Sequence, residues 1–210
     1  MISPLANVSP KAKIGKNVTI EPFATIYHDV EIGDDCYIHP NALIYPDTII
    51  GSGCKIFPGA VIGIINQDLK YKGEKSNTVI GNNTTIREFA TIHKGTADRM
   101  TTKVGNNCLI MCYTHLGHDC SIGNNVIIAN NGSLAGHITV EDYVIIEGVV
   151  AAQQFVNIGA HAFVAGASLV RKSIPPYIRV AREPLQFIGV NTIGLTRRGF
   201  DKETIKQIED

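Results

Sequence analysis

The sequence predicts an all-β chain built from six-residue units, each a short strand closed by a tight corner. Two observations predict it. From Ile2 to Val170, every sixth residue is apolar with few exceptions: the run begins Ile2, Val8, Ile14, Ile20, Ile26, Ile32, Ile38, Ile44, Ile50, Ile56 and Ile62. It resumes at Ile80, Ile86 and Ile92, continues from Val104 through Ile110, Leu116, Ile122, Ile128, Leu134, Val140 and Ile146, and closes with Ala152, Ile158, Val164 and Val170. The only other residues in this series are Asp68, Glu74 and Asp98. A helix period of 3.6 does not generate such a series, and plain strand alternation does not single out one inward position in three. Second, glycine often follows the apolar residue, with Asn or Asp next, as in Gly81-Asn82-Asn83, Gly105-Asn106-Asn107 and Gly123-Asn124-Asn125. These are the residues that tolerate the left-handed backbone of a tight corner.

A period this regular decides the architecture before any local propensity does. The pattern resembles the hexapeptide-repeat family. That resemblance implies a left-handed parallel β-helix in which three hexads make one triangular coil of 18 residues, with coils stacked ~4.8 Å apart. The handedness rests on the resemblance alone, because parallel crossovers are generally right-handed. The resemblance also implies a homotrimer with sites between subunits.

Along the chain, residues 1–170 are expected to form the helix, with loops near 63–79 and 93–103. The three acidic positions of the series fall in those two stretches, since an unpaired charge is not stable in an aliphatic stack. Residues 171–210 are expected to be an exit segment and short C-terminal helices. Ser173-Ile174-Pro175-Pro176-Tyr177 reads as a rigid exit, and Pro184 limits regular structure before about residue 185. Phe187 to Thr196 suits a short helix, Gly199 its cap, and Asp201 the N-cap of a second.

Composition narrows the function. Lys plus Arg equals Asp plus Glu, 19 of each, so no global field favours nucleic acid or a membrane surface. The N-terminal residues lack the pattern of a signal peptide, and no window approaches the ~18 apolar residues of a membrane span. A cytoplasmic protein is expected, with no membrane insertion and no nucleic-acid partner. Five cysteines without CxxC spacing fit that compartment. Cys36 and Cys54, 18 apart, read as small buried residues rather than a disulfide.

The stretch that carries chemistry is Thr114-His115-Leu116-Gly117-His118-Asp119-Cys120. With 18 residues per coil, His118, Gly136 and Gln154 lie above one another on one edge, and Asp119, His137 and Phe155 on the adjacent column. A base, a carboxylate that orients it, and a bare backbone that approaches a ligand are what acyl transfer needs. Imidazole has an ordinary pKa of about 6.5, already close to neutrality.

Several further motifs run in one order: Asn66-Gln67-Asp68-Leu69-Lys70-Tyr71, Thr91-Ile92-His93-Lys94-Gly95-Thr96, Leu134-Ala135-Gly136-His137, Gln154-Phe155, Pro175-Pro176-Tyr177 and Gly194-Leu195-Thr196-Arg197-Arg198-Gly199-Phe200. With the His115–Cys120 stretch they resemble the hexapeptide acyltransferases that load UDP-N-acetylglucosamine from acyl carrier protein, the first step of lipid A biosynthesis. The resemblance implies transfer of an (R)-3-hydroxyacyl chain to the sugar 3-hydroxyl. It implies His118 as general base, Asp119 as its orienter and the Gly136 N–H as oxyanion donor. Asp68, Lys70, His93, His115, His137 and Gln154 match positions lining the sugar and acyl groove. Asn191, Arg197 and Arg198 match positions near the nucleotide, where arginine suits a diphosphate. Gly166 matches a position gating the acyl groove, and glycine there implies room for a long chain. No cofactor and no resident metal are expected.

The chain departs from that family at Gln153, where histidine is common, and at Ile193, where several members carry an acid. The family also usually continues with further C-terminal helices. Three other readings are open: an N-acyltransferase acting on a 3-amino sugar nucleotide or lipid A precursor; a zinc enzyme like the γ-class carbonic anhydrases, which share this fold; and a non-catalytic protein that binds nucleotide sugar. His28, His39 and His161 have no partner pattern and read as surface or satisfied residues.

Overall fold

The computed structural model describes residues 1–210. Strands of two to five residues enter three sheets of nine, eight and ten strands, in strict rotation as far as Leu169–Val170. All neighbours pair in parallel except Ile178–Ala181 with Gln186–Val190. The chain thus winds as a left-handed parallel β-helix of triangular section. Its three faces are called first, second and third, in the order the chain visits them.

The six-residue series is the core. Leu116 pairs with Leu134 on the first face, Ile122 with Val140 on the second, and Ile110 with Ile128 on the third. These side chains point into the prism and are essentially fully buried. Each inward position touches its equivalents one coil above and below, so stability accumulates coil by coil, as in other solenoids.

The two breaks in the series are whole-hexad insertions. On the first face Ile44 pairs with Ile62, Ile62 with Ile92, and Ile92 with Leu116. The spacing therefore rises from 18 to 30 and then 24, as insertions of twelve and six residues leave the phase unchanged. The inserted chain lies between strands Val61–Ile64 and Asn77–Ile80, and between Thr91–His93 and Thr101–Val104. Asp68, Glu74 and Asp98 all sit in these loops and outside the core.

Corners use the left-handed backbone that the composition anticipates. Asn17, Asp35, Asn83, Asn107 and Asn125 all have φ between 54° and 58° in the corner after the second face. One residue earlier in the same corner, side chains form a ladder. The Asp34, Asn82, Asn106, Asn124 and Asp142 side chains each accept the backbone N–H of the residue stacked before them, as in Asn106 N to Asn124 Oδ1 at 2.9 Å. That corner satisfies its own orphan N–H groups.

After Val170 the winding continues. Ile174 bridges to Ile158, and Val180 pairs with Val164, both 16 residues apart rather than 18. The coil has lost two residues, so the inward series carries on out of phase and is hidden from a fixed six-residue count. The expected helix over 187–196 is corrected. Gln186–Val190 is a strand, and only Thr192–Arg197 (α1) is helical. The exposed edge of Ile178–Ala181 offers a ready partner, Phe187, Ile188 and Val190 favour strand, and Gly189 at φ 123° bends it. Lys202–Glu209 (α2) starts where expected, with the Asp201 carboxylate accepting from Thr204 N at 2.8 Å. The five cysteines are free, four of them buried. No helix is long and apolar enough to cross a membrane.

Candidate active site

The corner after the first face differs from the asparagine corner. Its stacked residues are His118, Gly136 and Gln154, beside the column Asp119, His137 and Phe155, each of the latter at φ 59° to 65°. No side chain caps the N–H groups of the His118, Gly136 and Gln154 column, whereas Asp119 N donates to Thr102 Oγ1 at 2.8 Å. The Gly136 N–H donates to no protein acceptor, because the residue one coil on is Gln154 rather than a short Asn or Asp. An open donor therefore stands beside His118.

The fit between these two residues explains the glycine. A Cβ at Gly136 would lie 2.6 Å from both Cε1 and Nε2 of His118, so the imidazole lies against bare backbone. Its Nδ1 is 2.9 Å from Asp119 Oδ2. Asp119 is fully buried and accepts from Thr96 N at 2.9 Å, Thr96 Oγ1 at 2.6 Å and Arg99 N at 3.3 Å. Burial works to raise the Asp119 pKa, but the hydrogen bonds from Thr96 and His118 outweigh it and hold the carboxyl below its ordinary value. The carboxylate is an acceptor only, so His118 Nδ1 carries the proton and donates it. Nε2, with no protein partner, is left as the basic nitrogen.

A cleft of about 540 Å³ opens over this corner, lined in part by Asp68, Lys70, His93, His115, His118, Gly136 and Gln154. His93 is buried and meets His115 edge-on, with ring centroids 4.7 Å apart. Burial, then the neighbouring His115 and His118, lowers its pKa to about 4, so it is neutral near pH 7. Burial likewise lowers that of His115, whose Nδ1 is 2.8 Å from Thr91 Oγ1. A second cleft of about 330 Å³ shares Asp68 and Lys70 and is walled by Thr96, Asp98, His137 and Phe155.

The two inserted loops clasp each other above the corner. Asn66 Nδ2 and Ser76 Oγ both donate to Gly95 O, at 3.2 and 2.6 Å. Glu74 accepts from Ala97 N at 3.0 Å and Lys72 N at 2.9 Å. Within the longer loop, Asp68 Oδ1 accepts from Lys70 N at 2.9 Å, which holds the Asp68 carboxylate at the rim.

The structure thus gathers Asp68, Lys70, His93, His115, His118, Asp119, Gly136, His137 and Gln154 at one corner. It does not bring Gly166, Asn191, Arg197 or Arg198 to that cleft within the protomer. Gly166 lies at the corner after the third face, its N–H bonded to Glu147 Oε2 at 2.9 Å. The Asn191 side chain caps α1 through Gly194 N at 3.3 Å and donates to His161 O at 2.8 Å. Arg198 donates to Tyr143 O at 2.7 Å and lies over the Tyr143 ring. Burial lowers its pKa. Arg197 is exposed. Of the histidines read as peripheral, His28 and His39 lie beside Asp29 and Glu21, and His161 stacks between Tyr143 and Tyr177.

Sequence reasoning missed Thr96, Arg99 and Asp98. All three lie in the inserted loop, where the repeat gives no register. The one available signal was the Gly95-Thr96 pair closing the Thr91–Thr96 motif.

A left-handed β-helix with an oriented imidazole beside an open backbone N–H places the chain in the hexapeptide-repeat class. Residues 11–46, 29–63 and 101–136 match the family described as bacterial transferase hexapeptide (six repeats), and residues 174–210 match domain 2 of the family described as Udp N-acetylglucosamine O-acyltransferase. The crystal structure of the UDP-N-acetylglucosamine acyltransferase LpxA from Bacteroides fragilis superposes with a TM-score of 0.99 at 49% identity, over 100% of this chain and 82% of that one. The Francisella novicida UDP-N-acetylglucosamine acyltransferase gives 0.98 at 44% identity, over 100% and 77%. An acyl-[acyl-carrier-protein]--UDP-N-acetylglucosamine O-acyltransferase from Burkholderia orbicola is 47% identical over 143 residues, 68% of this chain and 55% of that protein. One from Aliivibrio salmonicida is 44% identical over 149 residues, 70% and 57%. The chain thus spans little more than half the length of these curated relatives. It belongs to the UDP-N-acetylglucosamine acyltransferase family.

Proposed function

We propose that the protein transfers a 3-hydroxyacyl chain from acyl carrier protein to the 3-hydroxyl of UDP-N-acetylglucosamine. The observation that carries this reading is the contact of the His118 ring with Gly136, whose N–H is open while those of Lys16, Asp34, Ser52, Asn82, Asn106 and Asn124 in the equivalent ladder are capped by side chains. His118 Nε2 takes the hydroxyl proton as the sugar oxygen attacks the thioester carbonyl. The tetrahedral oxyanion accepts from Gly136 N–H. Its collapse expels the carrier's thiolate, which recovers the proton from His118. Asp119 holds Nδ1 protonated and stabilises the imidazolium between the two steps. Asp68, Lys70, His93, His115 and Gln154 contact sugar and acyl chain, and the neutral His93 and His115 avoid adding charge repulsion to the imidazolium.

Asn191, Arg197, Arg198 and Gly166 serve the same reaction from a second copy, in a homotrimer whose clefts lie between subunits. A ridge of Phe23, Phe89, Tyr113 and Val149, each more than half exposed, follows the corner after the third face and supports such an interface. Sedimentation of the purified protein tests the assembly, and a monomer active on its own refutes the shared site.

The test of the reaction is transfer from 3-hydroxyacyl carrier proteins of several chain lengths to UDP-N-acetylglucosamine and to its 3-amino analogue. Ester formation on the hydroxyl sugar supports the reading. Transfer confined to the amine supports the N-acyltransferase, and sugar-nucleotide binding without any transfer supports a non-catalytic role.

A further inference from the structure

The corner that orients His118 also has the donor set of a transition-metal site, and we infer that it binds one zinc ion that silences the enzyme. Three donors converge there, His118 Nδ1, Asp119 Oδ2 and His137 Nδ1, and Asp98 Oδ2 lies beside His137 at the cleft. His118 Nδ1 and Asp119 Oδ2 are 2.9 Å apart, His137 Nδ1 and Asp98 Oδ2 3.0 Å, and His137 Nδ1 and Asp119 Oδ2 3.8 Å. Ligand atoms of His118, Asp119 and His137 all lie within 4.8 Å of one another. A tetrahedral zinc with bonds near 2.0–2.1 Å needs ligand separations of about 3.3 Å, inside the span of these distances. Small side-chain rotations complete it.

An independent observation points to a ligand. His137 is nine-tenths buried, yet its Nδ1 makes no hydrogen bond. Asp98 Oδ2 is close enough but lies off the N–H direction, so the nitrogen is buried without the partner that buried polar atoms normally have. A metal ion on the Nδ1 lone pair supplies it. The surroundings are already those of a metal site. Phe155 stacks on His137 with centroids 4.5 Å apart and planes within 8°, which fixes the ring. Thr96 and Arg99 hold the Asp119 carboxylate, the outer-shell support that orients a ligating carboxylate. The cleft walled by Asp98, His137 and Phe155 gives an entry path. The converging donors are two imidazoles and one carboxylate, with the Asp98 carboxylate in reach as a fourth, a set that zinc accepts and magnesium, an oxygen-seeking ion, does not favour.

Silencing follows from tautomer chemistry and rests on the base role proposed for His118. Zinc on Nδ1 takes the place of the proton given to Asp119. A neutral imidazole must then carry its proton on Nε2, the nitrogen needed as base. No net proton is lost, and the ring becomes a donor where it must accept. The cluster is therefore an inhibitory site and not a catalytic metal centre.

Binding is measured without substrates, so its result stands apart from the acyl-transfer reading. Metal-free protein is titrated with zinc against a chromophoric chelator, and with cobalt for its visible spectrum. The inference expects one zinc per chain in the micromolar range or tighter, and a tetrahedral cobalt spectrum without a thiolate charge-transfer band. Asp98→Asn weakens binding at least tenfold, while His137→Gln abolishes binding. In the acyl-transfer assay, zinc stops turnover, a chelator restores it, and Asp98→Asn needs proportionately more zinc. Circular dichroism keeps a misfolded variant from passing for a lost ligand. Absence of micromolar binding, a thiolate band that places the metal on cysteine, or affinity unchanged in both variants overturns the site. Stoichiometric binding with undiminished turnover overturns the silencing.

Discussion

Gly136→Ala separates catalysis from stability. The new Cβ lies 2.6 Å from Cε1 and Nε2 of His118, where carbon contacts normally sit at about 3.5–4.0 Å. The imidazole has to retreat by about 1 Å. A misplacement of that size in a reacting group costs about 10² in rate, or about 2.7 kcal/mol of transition-state stabilisation. Gly136 does not have positive φ, so alanine meets no backbone penalty and leaves the melting temperature nearly unchanged. The assay is steady-state acyl transfer beside thermal unfolding, with kcat expected to fall about 100-fold and KM for the sugar nucleotide to change little. Gly117→Ala is the contrast. Its Cβ meets backbone, Gly136 N at 2.8 Å and Ala135 C at 2.9 Å, so that variant loses stability and activity together. Near-native turnover of Gly136→Ala would refute the stacking of base on oxyanion donor, as would a rate loss that merely tracks unfolding.

Asp119→Asn keeps the shape but turns an acceptor into a possible donor toward His118 Nδ1, favouring the wrong tautomer; kcat should fall by about 10²–10⁴, read by the same assay. His93 sets a pH dependence. Its folded pKa of about 4 lies below the ordinary 6.5, so the unfolded chain binds the proton more tightly. Stability therefore falls as pH drops from about 6.5 to 4, by up to about 3 kcal/mol for this residue. Denaturant melts across that range should show the fall, and His93→Gln should flatten it. At the asparagine corner, Asn125 holds φ 56° with no side-chain bond of its own, so Asn125→Ala should cost about 1 kcal/mol and Asn125→Gly a few tenths. Equilibrium unfolding distinguishes them.

The prism was legible because its core is a period. Every face places one apolar residue in six, and whole-hexad insertions left Ile80 and Val104 in phase. The His118–Gly136–Gln154 column followed from the same arithmetic. The period says nothing where it slips. Losing two residues before Ile174 hid a further coil, and the strand at Gln186–Val190 forms because a neighbouring edge is unpaired, which no local propensity reveals. The partners of Asp119 were hidden for a related reason: Thr96 and Arg99 come from an inserted loop whose path is set by Asn66, Glu74 and Ser76, far along the chain. The roles suggested for Asn191 and Arg198 meet a different limit. Their side chains are engaged at another corner of the protomer, so any contact with substrate depends on a second copy.

The central claim is that His118 is the base for acyl transfer to the hydroxyl of UDP-N-acetylglucosamine. The direct measurement is the rate at which wild type and His118→Ala form the 3-O-acyl sugar nucleotide from a 3-hydroxyacyl carrier protein, with folding checked by circular dichroism. The account predicts ester formation by the wild type and a loss of at least about 10² in the folded variant. Ester formed at a comparable rate without the imidazole would contradict it.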